Sequence, residues 1–390
     1  MKNKIMSCCL CVAVAGGWAW MAGMAWAWLP AWSSAWPSLR TAEAAYHFSG
    51  FLGKPPIHIF RSAQKAPAGV TPAEIRRIYN LPSTGGQGTI AIIDAYDAPN
   101  IESNLAVFNK TYGLPACTTK NGCLEKHKIA SSTATNGGWA LEESLDVEWA
   151  HAIAPQAKIL LVEAKTASGA NLLAAVDYAA SRKDVVAISM SWGGEEFPEE
   201  LSLDSHLVSK SGAVFFAASG DDGAGAEWPA ASPNVVGVGG TSLELFKSGA
   251  FISESAWAGS GGGVSAYEPE PDYQKAYSIP KANGHRAVPD VAYNADPKSG
   301  FVVYRTTGSS KNGWYTVGGT SAGAPQWAAI HALNLSVSLP KLYSDKASGD
   351  TLKYFRDITS GANGTCRYYC NARARYDYVT GLGVPQTAQF

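Results

Sequence analysis

Ser321 lies in the stretch Gly318-Gly319-Thr320-Ser321-Ala322-Gly323-Ala324-Pro325, directly before 326–333, a run of good helix formers. Unpaired N–H groups at a helix start favour a developing oxyanion, so the octapeptide suits a nucleophile as well as a plain helix cap with turn glycines. A nucleophilic serine needs a base. The histidines His47, His58, His127, His151, His206, His285 and His331 sit in no telling motif. His151 falls on the helix face opposite Glu142, which reads it as a structural or surface residue. Carboxyls are the alternative base. Glu142 and Asp146 are four residues apart in a helix expected over 141–152, about 40° apart in projection, so both side chains share a face. Such a pair most often marks a solvated face. Held together, however, two carboxyls separate their pKa values, leaving one as a base at acid pH while its partner holds a proton. Ser219-Gly220-Asp221-Asp222-Gly223 reads as a Gly-Asp turn. A protonated Asp221 there has a second use, donating to an oxyanion as an ionised carboxylate cannot.

The elements that must position these residues are short apolar runs and amphipathic stretches in alternation. Runs at 89–93, 159–163, 185–190, 214–217 and 235–238 are rich in Val, Ile and Ala, as suits strands buried on both faces. Helices are expected at 141–152, 170–182 and 201–210, which makes the region α/β with a parallel sheet. In such sheets ligands gather beyond the carboxyl ends of the strands, where the sequence places Asp94, Ser191-Trp192-Gly193-Gly194 and Ser219-Gly220-Asp221. Thr71-Pro72-Ala73-Glu74 reads as a helix N-cap, a Pro in the first turn and an early acid, and marks where a globular domain begins.

Composition narrows the classes further. The 390-residue chain is 46% hydrophobic and only 16% charged, with 31 basic residues against 32 acidic ones, which disfavours both disorder and a generic polyanion binder. Lys2 and Lys4 precede an uncharged, Trp-rich stretch from Ile5 to Leu39, and Ala42-Glu43-Ala44 offers a cleavage site. Residues 1–45 are therefore expected to be a signal peptide, with a retained anchor as the other reading. Residues 46–70 form a short leader or arm, and 71–390 the domain. Of seven cysteines, the four beyond the targeting segment are Cys117, Cys123, Cys366 and Cys370. In an exported chain they read as two local disulfides, Cys117 with Cys123 and Cys366 with Cys370; the zinc alternative lacks helpful His spacing.

Several ordered motifs together resemble the sedolisin family of serine-carboxyl peptidases: Glu142-x-x-x-Asp146 followed by Ala154-Pro155, Ser191-Trp192-Gly193-Gly194, Ala218-Ser219-Gly220-Asp221, Pro289-Asp290-Val291-Ala292 and the stretch around Ser321. The resemblance spans 71–385 and implies a subtilisin-like α/β fold, with a mostly parallel central sheet flanked by helices in a single catalytic domain. It further implies Ser321 as nucleophile, Glu142 as general base, Asp146 as its partner, Asp221 as oxyanion donor and Asp94 in a supporting network. Ser191, Trp192 and Gly193 would line a groove in which a peptide adds as a strand, Trp192 having simple packing as its other reading. Near the C-terminus, Asp357-Ile358-Thr359-x-Gly361 and Tyr376-Asp377-x-x-Thr380-Gly381-Leu382-Gly383-x-Pro385 resemble the family's Ca²⁺ site. That implies the Asp357 and Asp377 carboxylates with the carbonyls of Ile358, Arg373 and Arg375 as ligands, the two arginines standing where the family has glycines.

The expected protein is a secreted, acid-active, monomeric endopeptidase acting on proteins and peptides, with no nucleic-acid partner and no membrane contact after signal cleavage. An uncleaved N-terminus would tether it to the cell envelope. Residues 46–70 are too few for a globular prodomain, so maturation is expected by signal cleavage and a trim in the arm. The rival readings are a Ser-His-Asp subtilisin-like protease and a catalytically silent secreted peptide-binding protein.

Overall fold

The apolar runs become a central sheet. In the computed structural model, which describes residues 50–131, 133–306, 312–344 and 351–388, the strands are β2 (Thr89–Ala95), β3 (Leu124–Lys128), β4 (Lys158–Ala164), β5 (Val185–Met190), β6 (Val214–Ala218), β7 (Val235–Leu245) and β8 (Phe251–Ala256). The segment 1–45, read as a signal peptide, lies outside the described residues. Hydrogen bonding orders these strands β8-β7-β6-β5-β2-β4-β3, and β11 (Val291–Asn294) pairs with β7 to make the eighth. All pairings are parallel except β8 with β7. The middle strands are buried on both faces, as their unbroken apolar runs require.

Three helices connect and cover the sheet: α2 (Ile101–Tyr112), α3 (Gly137–Ile153) and α4 (Gly169–Ser181). A fourth, α5 (Gly323–Asn334), packs against α3 and β5. Before β2, α1 (Pro72–Ile78) opens on a capping box in which Thr71 and Glu74 satisfy each other's backbone N–H, as the sequence motif predicts. A second, antiparallel sheet has the order β1-β13-β12, with β1 (His58–Gln64), β12 (Phe301–Arg305) and β13 (Gly313–Gly318). The second half of the leader is thus a strand of the fold.

One expected helix does not form. In place of a helix over 201–210 there are two 3-10 turns, Pro198–Ser202 and Asp204–His206. Ser202 and Ser205 donate to the carbonyls of Glu199 and Ser202, and Asp204 accepts from Ser232. Short polar side chains here bind the local backbone and a neighbouring loop instead of letting the helix run on.

Both local disulfides are present, Cys117–Cys123 with Cα atoms 4.9 Å apart and Cys366–Cys370 at 5.2 Å. The Cys117 and Cys123 sulfurs lie close to a ring nitrogen of His151, but their S–S bond removes the thiolates zinc would need. His151 is buried, with Nε2 3.0 Å from the Pro115 carbonyl. No helix among the described residues is long and apolar enough to cross a membrane.

Candidate active site

β13 ends at Gly318, and the chain turns through Gly319 at φ +123° into a 3-10 turn, Thr320–Ala322, that feeds α5. A Cβ on Gly319 would sit 2.0 Å from the Pro56 carbonyl oxygen and 2.5 Å from Asp221 Oδ2, so both the backbone angle and the space demand glycine. Ser321 is fully buried at this junction, its carbonyl accepting from Ser191 Oγ at 3.2 Å.

α3 supplies the acids. Its polar residues read as a solvated face, yet Glu142, Glu143, Asp146 and Glu148 are all 0% exposed, because α3 is enclosed by the main sheet, α2, α5 and β12. Asn136 caps its start by accepting from the N–H groups of Gly138 and Trp139. The Glu142 and Asp146 carboxyl oxygens make no aligned hydrogen bond, nor do those of Asp94 at the end of β2. Burial pushes the pKa of Glu142 well up, the negative charge of Asp94 adds to this, and the nearby Ser321 hydroxyl pulls the other way. Asp146 is raised by burial and then by Asp94 and Glu142, with Ser191 favouring its ionised form. For Asp94 the causes are burial and the charge of Glu163. The Ser321 hydroxyl is thus near enough to favour a Glu142 carboxylate without forming an aligned bond to it, a common state of an unliganded site.

Asp221 closes the other side. Following β6, Gly220 adopts φ +105° and donates to Thr320 Oγ1, while Thr320 N–H and Oγ1 donate to Asp221 Oδ1 at 2.8 and 2.9 Å. Asp221 Oδ2 lies 3.1 Å from His58 Nε2. Burial raises the Asp221 pKa, while His58 and Thr320 oppose the rise.

A cleft of about 660 Å³ runs past this corner, lined by Gly193, Gly194, Glu195, Asp221 and Glu227 and by the arm around Phe51–His58. Gly193 offers its backbone to the groove: its N–H and C=O exchange hydrogen bonds with Lys54 at 3.2 and 3.1 Å. The Trp192 ring does not reach the groove. It is wholly buried, donates to the Ile93 carbonyl at 3.0 Å and packs near Trp228.

The structure therefore brings Ser321, Glu142, Asp146, Asp94, Ser191 and Asp221 into one cluster. Sequence reasoning missed His58 and Pro56, which enter this corner from the arm, and the buried carboxyls Glu143 and Glu163 that flank Asp94. Nothing local marks these residues, since each acts only through a contact distant in sequence.

The C-terminal loop stands apart from this cluster. Asp377 accepts from the N–H groups of Arg373, Val379 and Thr380 and from the Thr380 hydroxyl, and Asp357 accepts from the Arg375 N–H at 2.7 Å. Burial raises both carboxyls, Asp377 to about 6. Asp357 Oδ1 is buried without a hydrogen-bond partner, a hard anionic oxygen of the kind Ca²⁺ takes, so the donor set fits the ion. Arg375 sits at φ +67°, the left-handed region that favours glycine.

Comparison with known proteins accords with this geometry. The subtilase family matches residues 127–360. Kumamolisin from Bacillus sp. (strain MN-32) is 31% identical over 363 residues, covering 83% of this chain and 63% of its own. Sedolisin from Pseudomonas sp. (strain 101) is 26% identical, covering 83% and 62%. The solved structure of Pseudomonas sedolisin complexed with pseudo-iodotyrostatin superposes with a TM-score of 0.67 at 25% identity, over 82% of this chain and 96% of that one. Sphericase, at 19% identity and a TM-score of 0.53, shares the fold. The chain belongs to the subtilase family. It spans a little over three-fifths of the length of the curated relatives it matches.

Proposed function

We propose that this protein is an acid-active serine-carboxyl endopeptidase, with Ser321 as nucleophile and Glu142 as its base. The observation that carries this reading is the meeting of a buried, unpartnered serine hydroxyl with a buried carboxyl at the start of α5, with Asp221 on the other side. One proton shared among Asp94, Glu142 and Asp146 relieves most of their repulsion. In this reading a carboxylate lies at Glu142, which faces the nucleophile's hydroxyl as Asp146 faces that of Ser191.

Glu142 takes the Ser321 Oγ proton as Oγ bonds to the substrate carbonyl carbon and the carbonyl electron pair moves to oxygen. The Ser321 N–H and a protonated Asp221 carboxyl donate to that oxyanion. Collapse breaks the C–N bond, and the leaving amine takes the proton from Glu142. Water repeats the sequence to free the acyl group. Asp146 and Asp94 hold the shared proton and position Glu142, and Gly193 pairs with the substrate backbone as an added strand. Among the described residues no histidine hydrogen-bonds to Ser321, and His58 addresses Asp221 instead, which speaks against a histidine base.

Asp357 and Asp377, with the carbonyls of Ile358, Arg373 and Arg375, would hold Ca²⁺, which would supply positive charge to the buried Asp377 and half-buried Asp357 carboxylates and tie the 357–377 loop together. The domain assignment (1–45 signal, 46–70 arm, 71–390 peptidase) and export belong to the same proposal. The test is hydrolysis of an unfolded protein from about pH 2 to 8 by wild type, Glu142→Ala and Ser321→Ala, with folding checked. Activity confined to acid and lost in both variants is expected. Activity near pH 7 that survives Glu142→Ala overturns the carboxyl base, and a folded wild type without hydrolysis favours a peptide-binding protein.

A further inference from the structure

The acid cluster at Ser321 does not end at Asp94. On the neighbouring parallel strand β4, Glu163 is the register partner of Asp94, so the two carboxyls stand side by side on one face of the sheet. Both residues are wholly buried. Glu163 Oε1 accepts from the Ala98 N–H at 2.9 Å and lies 2.9 Å from Lys126 Nζ on β3. Lys126 in turn donates to Asp97 Oδ1 at 2.6 Å and to the Ala98 carbonyl at 2.8 Å. Its side chain is 19% exposed, so a continuous row of ionisable groups runs from the surface to the acids beside Ser321.

Like charges in register on adjacent strands repel, and burial removes the water that would screen them. Here the conflict is resolved unevenly. Glu163 has a cation and a backbone N–H on one oxygen, whereas neither oxygen of Asp94 has an aligned donor. Charge therefore belongs on Glu163 and a proton on Asp94, the direction in which burial and the Glu163 charge push the Asp94 pKa. Accepting the peptidase reading of this site, we infer that Glu163, anchored by Lys126, is a positioning residue for the reaction: it keeps the shared proton on Asp94 and so leaves Glu142 free to act as base.

The surrounding groups fit this division. Asp94 is faced by Glu163 from β4 and by Glu142, Glu143 and Asp146 from α3. Glu163 is faced by Asp94, Lys126 and Glu143. Glu143 lies against Glu163 without an aligned bond, and burial with the charges of Glu163 and Asp94 raises its pKa well up, so it brings a proton to this corner and no charge. Farther out, Asp97 takes Lys128 at 2.6 Å as well as Lys126. Without the charge on Glu163, Asp94, Glu142 and Asp146 would compete for the proton as three similar buried carboxyls, and each Glu142 that won it would be lost as a base.

The proton on Asp94 can be read without catalysis. In the full chain, labelled with ¹³C-aspartate and carrying Ser321→Ala so that no chain is cut, the Asp94 carboxyl resonance is assigned by its loss in Asp94→Asn. It should titrate about one pH unit or more lower in Glu163→Gln and stay near its parent value in Glu163→Asp, which keeps the charge. Gln has the shape of Glu and still accepts from the Ala98 N–H, and Asp97 remains as a countercharge for Lys126, so the fold should be kept. With Ser321 intact, Glu163→Gln should lower kcat about three- to tenfold at unchanged KM, because part of the proton moves onto Glu142. That loss should vanish in an Asp94→Asn background, where a neutral side chain is fixed beside Glu142. An Asp94 titration that Glu163→Gln leaves in place, or an equal loss of kcat in both backgrounds, overturns the inference and makes the Lys126–Glu163 pair a staple between the sheet and the 97–98 turn. If the Asp94 titration moves but no form of the protein hydrolyses a substrate, the proton placement stands and only the peptidase reading fails.

Discussion

Two sets of buried carboxyls in this molecule have been treated in opposite ways. In the C-terminal loop the Asp377 carboxylate is satisfied by three backbone N–H groups and a hydroxyl, each donor favouring the ionised form and opposing the rise that burial causes. On α3 and at the end of β2, Glu142, Asp146 and Asp94 are buried with no aligned donor and with one another's charge nearby. The first arrangement builds a loop, and its donors limit the rise to about 6. The second holds protons whose positions respond to pH and to a neighbouring hydroxyl, as a site that moves a proton requires. The buried Arg286–Asp290 pair falls with the loop: Asp290 is met by a guanidinium, the Gly237 N–H and the Tyr343 hydroxyl.

The sharpest break in this contrast is Glu142→Gln, which should lower hydrolysis about 10²–10⁴-fold while the protein stays folded, because it removes the base without unsatisfying a donor. The same burial sets the pH dependence of stability. Asp94, Glu142, Glu143, Asp146 and Glu148 are all raised above their unfolded values, so the folded state binds more protons between the two pKa values. Their stabilising contribution is complete below the ordinary carboxyl range and is lost as pH rises through the folded values. The buried His151 and His331, the latter lowered to about 4, oppose this by losing stability as pH falls below the ordinary histidine range. With five carboxyls against two histidines, Tm by calorimetry should be higher near pH 4 than near pH 7, and Glu142→Gln should reduce the difference. A Tm that climbs steadily toward neutrality would mean that these acids are held ionised in the folded protein, against the direction that burial gives.

Asp221→Ala should cost about 10²–10³ in kcat, and Asp221→Asn, which restores a donor, should recover part of it. Equal losses in the two variants would argue for a charge at this position and against a proton donor. Asp377→Ala should destabilise by about 3 kcal/mol in urea titrations, by leaving several buried donors without an acceptor, while the activity of the surviving folded fraction is kept. At the small end, Arg375→Gly should stabilise by about 1 kcal/mol by relieving a left-handed backbone, read as a shift in the urea midpoint at constant slope.

Much of the fold was legible because its signals are local. The apolar run at 89–93 became β2, extended by two residues, and the run at 185–190 is β5 to the residue. Glycines at 239 and 240 broke the apolar pattern at 238, yet β7 continues to Leu245, since β11 and β8 pair along it and the sheet tolerates the missing side chains. The lost helix at 201–210 shows the reverse case, where side chains close to the backbone outbid helix hydrogen bonds.

By itself the sequence determined the alternation of strand and helix, the serine at a helix start, the two carboxyls on one face of α3 and the local disulfides. Each follows from a period of two or 3.6 residues, a turn chemistry or a short spacing. Only the tertiary structure decided that the acidic face of α3 is buried and not solvated, since packing partners far along the chain convert the same spacing from a soluble surface into a strained proton store. It alone brought Asp221 and Asp94 to that face, put the Trp192 ring in the core, and laid the arm through the groove with His58 on Asp221. Contacts of this kind depend on how elements dock, and docking is written in no single stretch of sequence.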